Sequence, residues 1–130
     1  MVALTWTDRT SKIPCPVQIL GVRWNRVYGL PRDAAIADST RAVLKQRQSD
    51  AFPILLARHP HAFDTAVEAG VPLTLSGHTH GGQVMLDSQH GFGPWMFRYW
   101  SGLDQRGGSQ LVVSNGVGNW FPLRVDAPRK

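Results

Sequence analysis

Short apolar runs alternate with stretches of helical pattern between residues 17 and 76, and this alternation restricts the fold more than any other feature of the chain. The runs VQILGV at 17–22, FPILLA at 52–57 and VPLTLS at 71–76 have strand length and read as buried strands. Between the first two, residues 33–48 read as a helix: Ile36, Val43 and Leu44 fall on one face, and Asp33 is placed to cap the start. Pro60 ends the second run, and 62–69 reads as a short helix stopped by Gly70. The order strand, helix, strand, helix, strand implies an α/β layer with functional loops at the strand ends. Further strands are expected at 83–86, 110–114 and 120–125, with 87–108 irregular and 115–119 a turn. Residues 1–16 show no periodicity, so they read as an irregular lead-in to a domain at 17–130.

A chain of 130 residues suits one domain at most. Its net charge of +5 favours anionic partners such as phosphate esters, nucleic acid or acidic lipid, although the basic residues are scattered. Trp95, Phe97, Tyr99 and Trp100 either line a cleft or pack a long loop onto the core. The charge and these aromatics leave open a non-catalytic basic module that binds nucleic acid or acidic lipid. The single cysteine, Cys15, excludes an internal disulfide. No apolar run approaches the ~20 residues of a membrane span, and the first residues lack the apolar core of a signal peptide. The expectation is a cytoplasmic chain, with membrane association left open for any longer parent.

The stretch Gly77-His78-Thr79-His80-Gly81-Gly82 carries the most chemistry. Two imidazoles two residues apart, in a loop directly after an apolar strand, are able to face one metal cluster, and glycine permits backbone angles that other residues resist. Neutral imidazole ligates zinc, iron, manganese and nickel. Taken alone, the pair is weak evidence for a metal, since histidine pairs in loops are often only polar surface.

Its context is more specific. Ile54-Leu55-Leu56-Ala57-Arg58-His59-Pro60 precedes it, followed by Ala62-Phe63-Asp64 and Leu73-Thr74-Leu75-Ser76. Beyond it come Tyr99-Trp100-Ser101-Gly102 and Val113-Ser114-Asn115-Gly116-Val117-Gly118. From Ile19 to Val125 this pattern resembles the last part of the calcineurin-like metallophosphoesterases, in which one strand ends in His-x-Pro and a later one in Gly-His-Thr-His-Gly-Gly-Gln. The resemblance implies the C-terminal half of a four-layer α/β/β/α sandwich and hydrolysis of phosphate mono- or diesters by a metal-activated water. It also implies a site of two divalent ions (Mn, Fe or Zn). At matching positions His78 and His80 would be metal ligands. Gln83 and Asn115 lie beside motif positions and receive no role, and His61 and His90 match none and read as surface.

Two departures from the family pattern bear on activity. The ligand expected two residues before the proline is replaced by Arg58, and the histidine is His59, directly before Pro60. Neighbouring residues on an extended chain point to opposite faces, so either the strand end is shifted by one residue and His59 ligates, or this ligand is lost. In addition, the Asp-x-His, Gly-Asp-x-x-Asp and Gly-Asn-His-Asp/Glu strings of the family's N-terminal half do not occur. Without a bridging carboxylate, two or three imidazoles leave a pair of dications uncompensated. The expectation is therefore at most one weakly held ion and a truncated form that is inactive by itself. One sheet without its partner sheet would leave apolar strands facing water and would favour self-association through that face.

Overall fold

The structure is a computed structural model and describes residues 2–6, 16–23, 31–79 and 98–116. Its elements are β1 (Val2–Trp6), β2 (Val17–Val22), α1 (Arg32–Leu44), β3 (Phe52–Ala57), α2 (Ala62–Glu68), β4 (Leu73–Ser76), β5 (Gly102–Arg106) and β6 (Ser109–Val113). The strands form one sheet in the order β1-β2-β3-β4-β6-β5. Strands β2, β3, β4 and β6 are parallel, and the two edge strands β1 and β5 run antiparallel to their neighbours. The expected α/β class therefore holds, as a mixed sheet.

Alternation along the strands decides which side is buried. Leu20, Leu55, Thr74, Leu111 and Val113 lie on one face and pack beneath Ile36 and Val43 of α1 and Phe63 and Ala66 of α2. Both helices lie on that same face and touch each other. The opposite face carries Phe52 and Leu56 of β3, Leu75 of β4, Val112 of β6 and Leu103 of β5, all exposed. Leu56, Leu75, Val112 and Leu103 pair directly across four neighbouring strands, so they form a continuous apolar row. No described element covers that row.

Most element boundaries follow from local chemistry. Helix α1 begins one residue before the expected start, at Arg32, with Pro31 as N-cap and the Ala35 N–H bonded to the Pro31 carbonyl at 3.1 Å. Asp33 is thus in the first turn and caps nothing, because the preset φ of proline starts the helix ahead of it. The helix ends at Leu44 rather than near residue 48 because tighter bonds from Gln46 and Arg47 to Val43 and Leu44 close the turn. Buried Gln18 then binds both sides of that connection: its Nε2 donates to the Gln46 carbonyl, and its Oε1 accepts from the Gln48 N–H, each at 2.9 Å. Helix α2 ends as expected at Gly70, which has φ +64°. The Val71 N–H bonds to the Ala66 carbonyl at 2.9 Å and the Gly70 N–H to the Val67 carbonyl at 3.0 Å, the pattern of a Schellman cap. This cap uses the Val71 N–H and Pro72 has none, so β4 starts at Leu73 rather than at residue 71.

Two segments read as irregular are strands. Val2–Trp6 is β1, paired with β2 from Val2 opposite Gly21 to Trp6 opposite Val17. Gly102–Arg106 is β5, joined to β6 by a turn at Gly107 and Gly108 with φ +58° at Gly107. GLDQR has no apolar alternation because an edge strand open to water does not need one. The expected strands at 83–86 and 120–125 lie outside the described residues.

Candidate functional site

The parallel strands end in register. Val22 pairs with Ala57, Ala57 with Ser76, and Ser76 with Val113, so the residues that follow these four leave the sheet at one edge. Arg23, Arg58-His59, Gly77-His78 and Ser114-Asn115 are therefore neighbours by topology. In open parallel sheets this carboxyl edge is where ligands bind.

Beyond the end of β3, alternation continues through Ala57 buried, Arg58 exposed and His59 buried. The ambiguity over which side chain turns inward is thus resolved in favour of His59. Its ring meets that of His78 from the next strand, with centroids 4.1 Å apart and planes at 76°. Ser76 Oγ donates to the Arg58 carbonyl at 3.1 Å, and the Ser114 N–H donates to the Ser76 carbonyl at 2.8 Å, so three strand ends are bonded together around the pair. A small recess beside His59 is lined by Val22, Ile36, Ser39, Arg58 and Ala62.

Burial, reinforced by the positive charges of His78, Arg32, Arg58 and His61, lowers the His59 pKa from 6.5 to about 4. At neutral pH the ring is uncharged, which is the state a metal ligand requires. Arg32 and Arg58 leave this edge positive.

The loop geometry differs in one respect from the expectation. Of Gly77 and His78, it is His78 that holds a left-handed backbone, at φ +82°. A Cβ at Gly77 would meet nothing closer than the Ser114 carbonyl at 3.8 Å. A non-glycine residue in that region is uncommon and must be held there by its surroundings. Thr79 supplies one restraint: it is fully buried, and its Oγ1 donates to the Trp100 carbonyl at 2.6 Å. His80, Gly81, Gly82, Gln83, His90, Trp95, Phe97 and Cys15 lie outside the described residues. Asn115 stands at the same sheet edge, half-buried after β6.

A network that sequence reading did not single out lies beside the histidines. Asp64, in the first turn of α2, accepts hydrogen bonds from Tyr99 Oη at 2.8 Å, from Arg106 and, at 3.4 Å, from Arg98. Arg106 Nη1 also donates to Tyr99 Oη at 3.1 Å. Burial and the bond to Asp64 raise the Tyr99 pKa, so the hydroxyl stays protonated and donates. The Tyr99 ring packs edge-on against Phe63 at 5.6 Å, so this aromatic is core rather than cleft lining. His61, read as surface, is half-buried with its ring 6.2 Å from that of Tyr99. In the sequence Asp64 and Tyr99 stand only within the Ala62-Phe63-Asp64 and Tyr99-Trp100-Ser101-Gly102 stretches, with nothing local to pair them.

The chain is similar to known proteins over part of its length. The chain is 40% identical over 88 residues to an uncharacterized metallophosphoesterase of Helicobacter pylori strain J99, a match covering 65% of this chain and 23% of that protein. It is 38% identical over 79 residues to the uncharacterized metallophosphoesterase YkuE of Bacillus subtilis strain 168, covering 56% of this chain and 27% of that protein. Over these stretches the chain is similar to metallophosphoesterases. It spans about a quarter of the length of the curated metallophosphoesterases it matches. No protein-family model matches it, and no solved structure matches it significantly.

The donor chemistry fits part of what a metallophosphoesterase requires. His59 and His78 are adjoining imidazoles, one of them held neutral. Among the described residues, however, no group of three or more His, Cys, Asp or Glu side chains could hold a metal ion. Two imidazoles make half of a four-coordinate zinc site, and no described carboxylate joins them to offset a second ion. No described helix is long and apolar enough to cross a membrane.

Proposed function

We propose that this chain is the histidine-bearing part of a metal-dependent phosphoesterase, with His78, His80 and His59 as ligands to a divalent ion. The observation that carries the reading is the contact between His59 and His78, 4.1 Å apart at the ends of neighbouring parallel strands in a chain similar to metallophosphoesterases. A bound dication would polarise a phosphoryl oxygen and lower the pKa of water. The chain's own residues supply neutral imidazoles and hold the two strand ends together, and the positive edge around Arg58 attracts a phosphate-ester substrate.

The residues at hand support one weakly bound Zn, Mn or Fe ion rather than a bridged pair, and therefore no hydrolysis by this chain alone. The uncovered apolar row at Leu56, Leu75, Val112 and Leu103 supports a further part of the reading. This sheet is one half of a four-layer α/β/β/α sandwich, and the isolated chain self-associates through the bare face.

Elemental analysis of the purified chain beside a His78→Ala/His80→Ala double variant and a His59→Ala variant tests the site. The expected result is Zn, Mn or Fe bound below one equivalent in the parent, absent from the double variant and reduced in His59→Ala. No metal in the parent after dialysis against each ion would remove the catalytic reading for this chain. Retention in His59→Ala would remove that residue from the ligand set.

A further inference from the structure

We propose that Thr79 and Tyr99 are positioning residues that hold the two histidine rings in contact, and that they act through a closed circuit of bonds around the site. The inference rests on the reading of His78 and His59 as ligands only for its metal arm; the ring contact itself is a property of the chain.

The circuit can be followed atom by atom. His59 leads through Pro60 into α2, whose first turn carries Asp64. Asp64 Oδ1 accepts from Tyr99 Oη at 2.8 Å, while the Tyr99 ring is fixed against Phe63 of the same helix at 5.6 Å. Arg106 of β5 donates to both Asp64 and Tyr99, so the hairpin braces the same point. The next residue is Trp100, whose carbonyl accepts from Thr79 Oγ1 at 2.6 Å. Thr79 adjoins His78, and the His78 ring returns to His59. Two hydrogen bonds and one ring contact thus close a loop in which every other link is covalent or helical.

The side chains in the circuit have few alternatives. Thr79 is fully buried and Tyr99 is 4% exposed, so water cannot readily replace either partner. The backbone of His78, at φ +82°, lies where a residue with a Cβ does not stay unaided. The hydroxyl of the very next residue is therefore placed to set the direction in which that imidazole points. Thr79 adjoins His78 in sequence, so one buried bond anchors the described part of the loop.

The test compares the full chain with Thr79→Val, Thr79→Ser and Tyr99→Phe. Each is examined in EDTA for the nuclear Overhauser effect between the His59 and His78 ring protons, and separately for zinc affinity by competition with a chromophoric chelator. Thr79→Val keeps shape and removes the hydroxyl; Thr79→Ser restores it. The expected result is that Thr79→Val loses the His59–His78 effect and weakens zinc binding about tenfold or more, as loss of outer supporting bonds does at metal sites. Thr79→Ser should retain both, and Tyr99→Phe should shift both in the direction of Thr79→Val. If Thr79→Val fails to fold, Tyr99→Phe decides alone, since it keeps the ring on Phe63 and removes only the hydroxyl with its bonds to Asp64 and Arg106. An unchanged ring contact in the folded variants, or its absence in the parent chain, overturns the proposal. A parent chain that shows the ring contact but binds no zinc removes the metal reading, and the Overhauser comparison still decides the positioning role.

Discussion

At the scale of single residues, the decisive group is His59. Its ring is buried, with Arg32 and Arg58 among its neighbours, so protonation is disfavoured in the folded chain and the pKa falls to about 4. The unfolded chain takes up that proton near 6.5, so between these values it binds more protons than the folded chain does. Stability should therefore decrease as pH falls from about 6.5 toward 4 and level off below that, where both states are protonated. Each unit of separation corresponds to about 1.4 kcal/mol, and with local relaxation the total loss should be about 1–3 kcal/mol. Denaturant unfolding of metal-free chain between pH 7 and pH 4 measures it, and His59→Gln should flatten that part of the profile. An equal slope in both proteins would show that another group controls the acid response. Arg58 illustrates the complementary point. Its side chain faces water while its carbonyl is bonded by Ser76, so its contribution to the site is backbone geometry and long-range charge.

At the scale of elements, helix ends and strand ends place the site. The Schellman cap at Gly70 sets where α2 stops and how the chain re-enters the sheet as β4, the strand that delivers His78. A Cβ at Gly70 would touch nothing within 4 Å, so Gly70→Ala introduces conformational cost alone. At φ +64° that cost should be about 1–2 kcal/mol, read as a lower denaturation midpoint with unchanged denaturant slope. No loss of stability would show that the chain re-enters β4 by another turn. Strand β5 shows how an element can escape sequence reading. Glycine, leucine, aspartate, glutamine and arginine in succession carry no alternation, and the strand exists because β6 offers it an open edge and Gly107 allows the turn.

At the scale of the whole molecule, the two faces of the sheet have opposite fates. The helix-covered face holds Leu55, fully buried among α1, α2 and the neighbouring strands, and Leu55→Ala should cost about 2–5 kcal/mol through lost burial and a residual cavity. On the other face Leu103 is 64% exposed and Val112 39% exposed. A Leu103→Lys/Val112→Lys double variant should change unfolding stability by less than about 1 kcal/mol. It should also move the chain toward monomer in sedimentation velocity at equal concentration. A parent chain that is already monomeric at high concentration would remove the self-association reading. A large loss of stability in the double variant would instead show that this face is packed within the monomer.

The sequence by itself determined the elements whose signals are local. The runs at Val17–Val22 and Phe52–Ala57 were legible residue for residue, because a strand buried on its helix side and apolar on the other leaves a continuous hydrophobic string. The stop at Gly70 and the histidine loop after β4 were legible for similar reasons: glycine chemistry and two imidazoles two residues apart are visible without a partner. What remained hidden depended on contacts between distant residues. The connection after α1 is held by Gln18, about 30 residues away in sequence from residues 46–48. The edge strands β1 and β5 owe their existence to the strands beside them. The choice between Arg58 and His59 could not be made from a one-residue offset, since alternation predicts opposite sides without saying which is inward. Only the register that aligns Ala57 with Ser76 brings His59 against His78, and only the fold brings Asp64, Tyr99 and Thr79 around them. Local chemistry wrote the elements into the sequence, whereas pairing across the sheet, which no single stretch encodes, assembled the site.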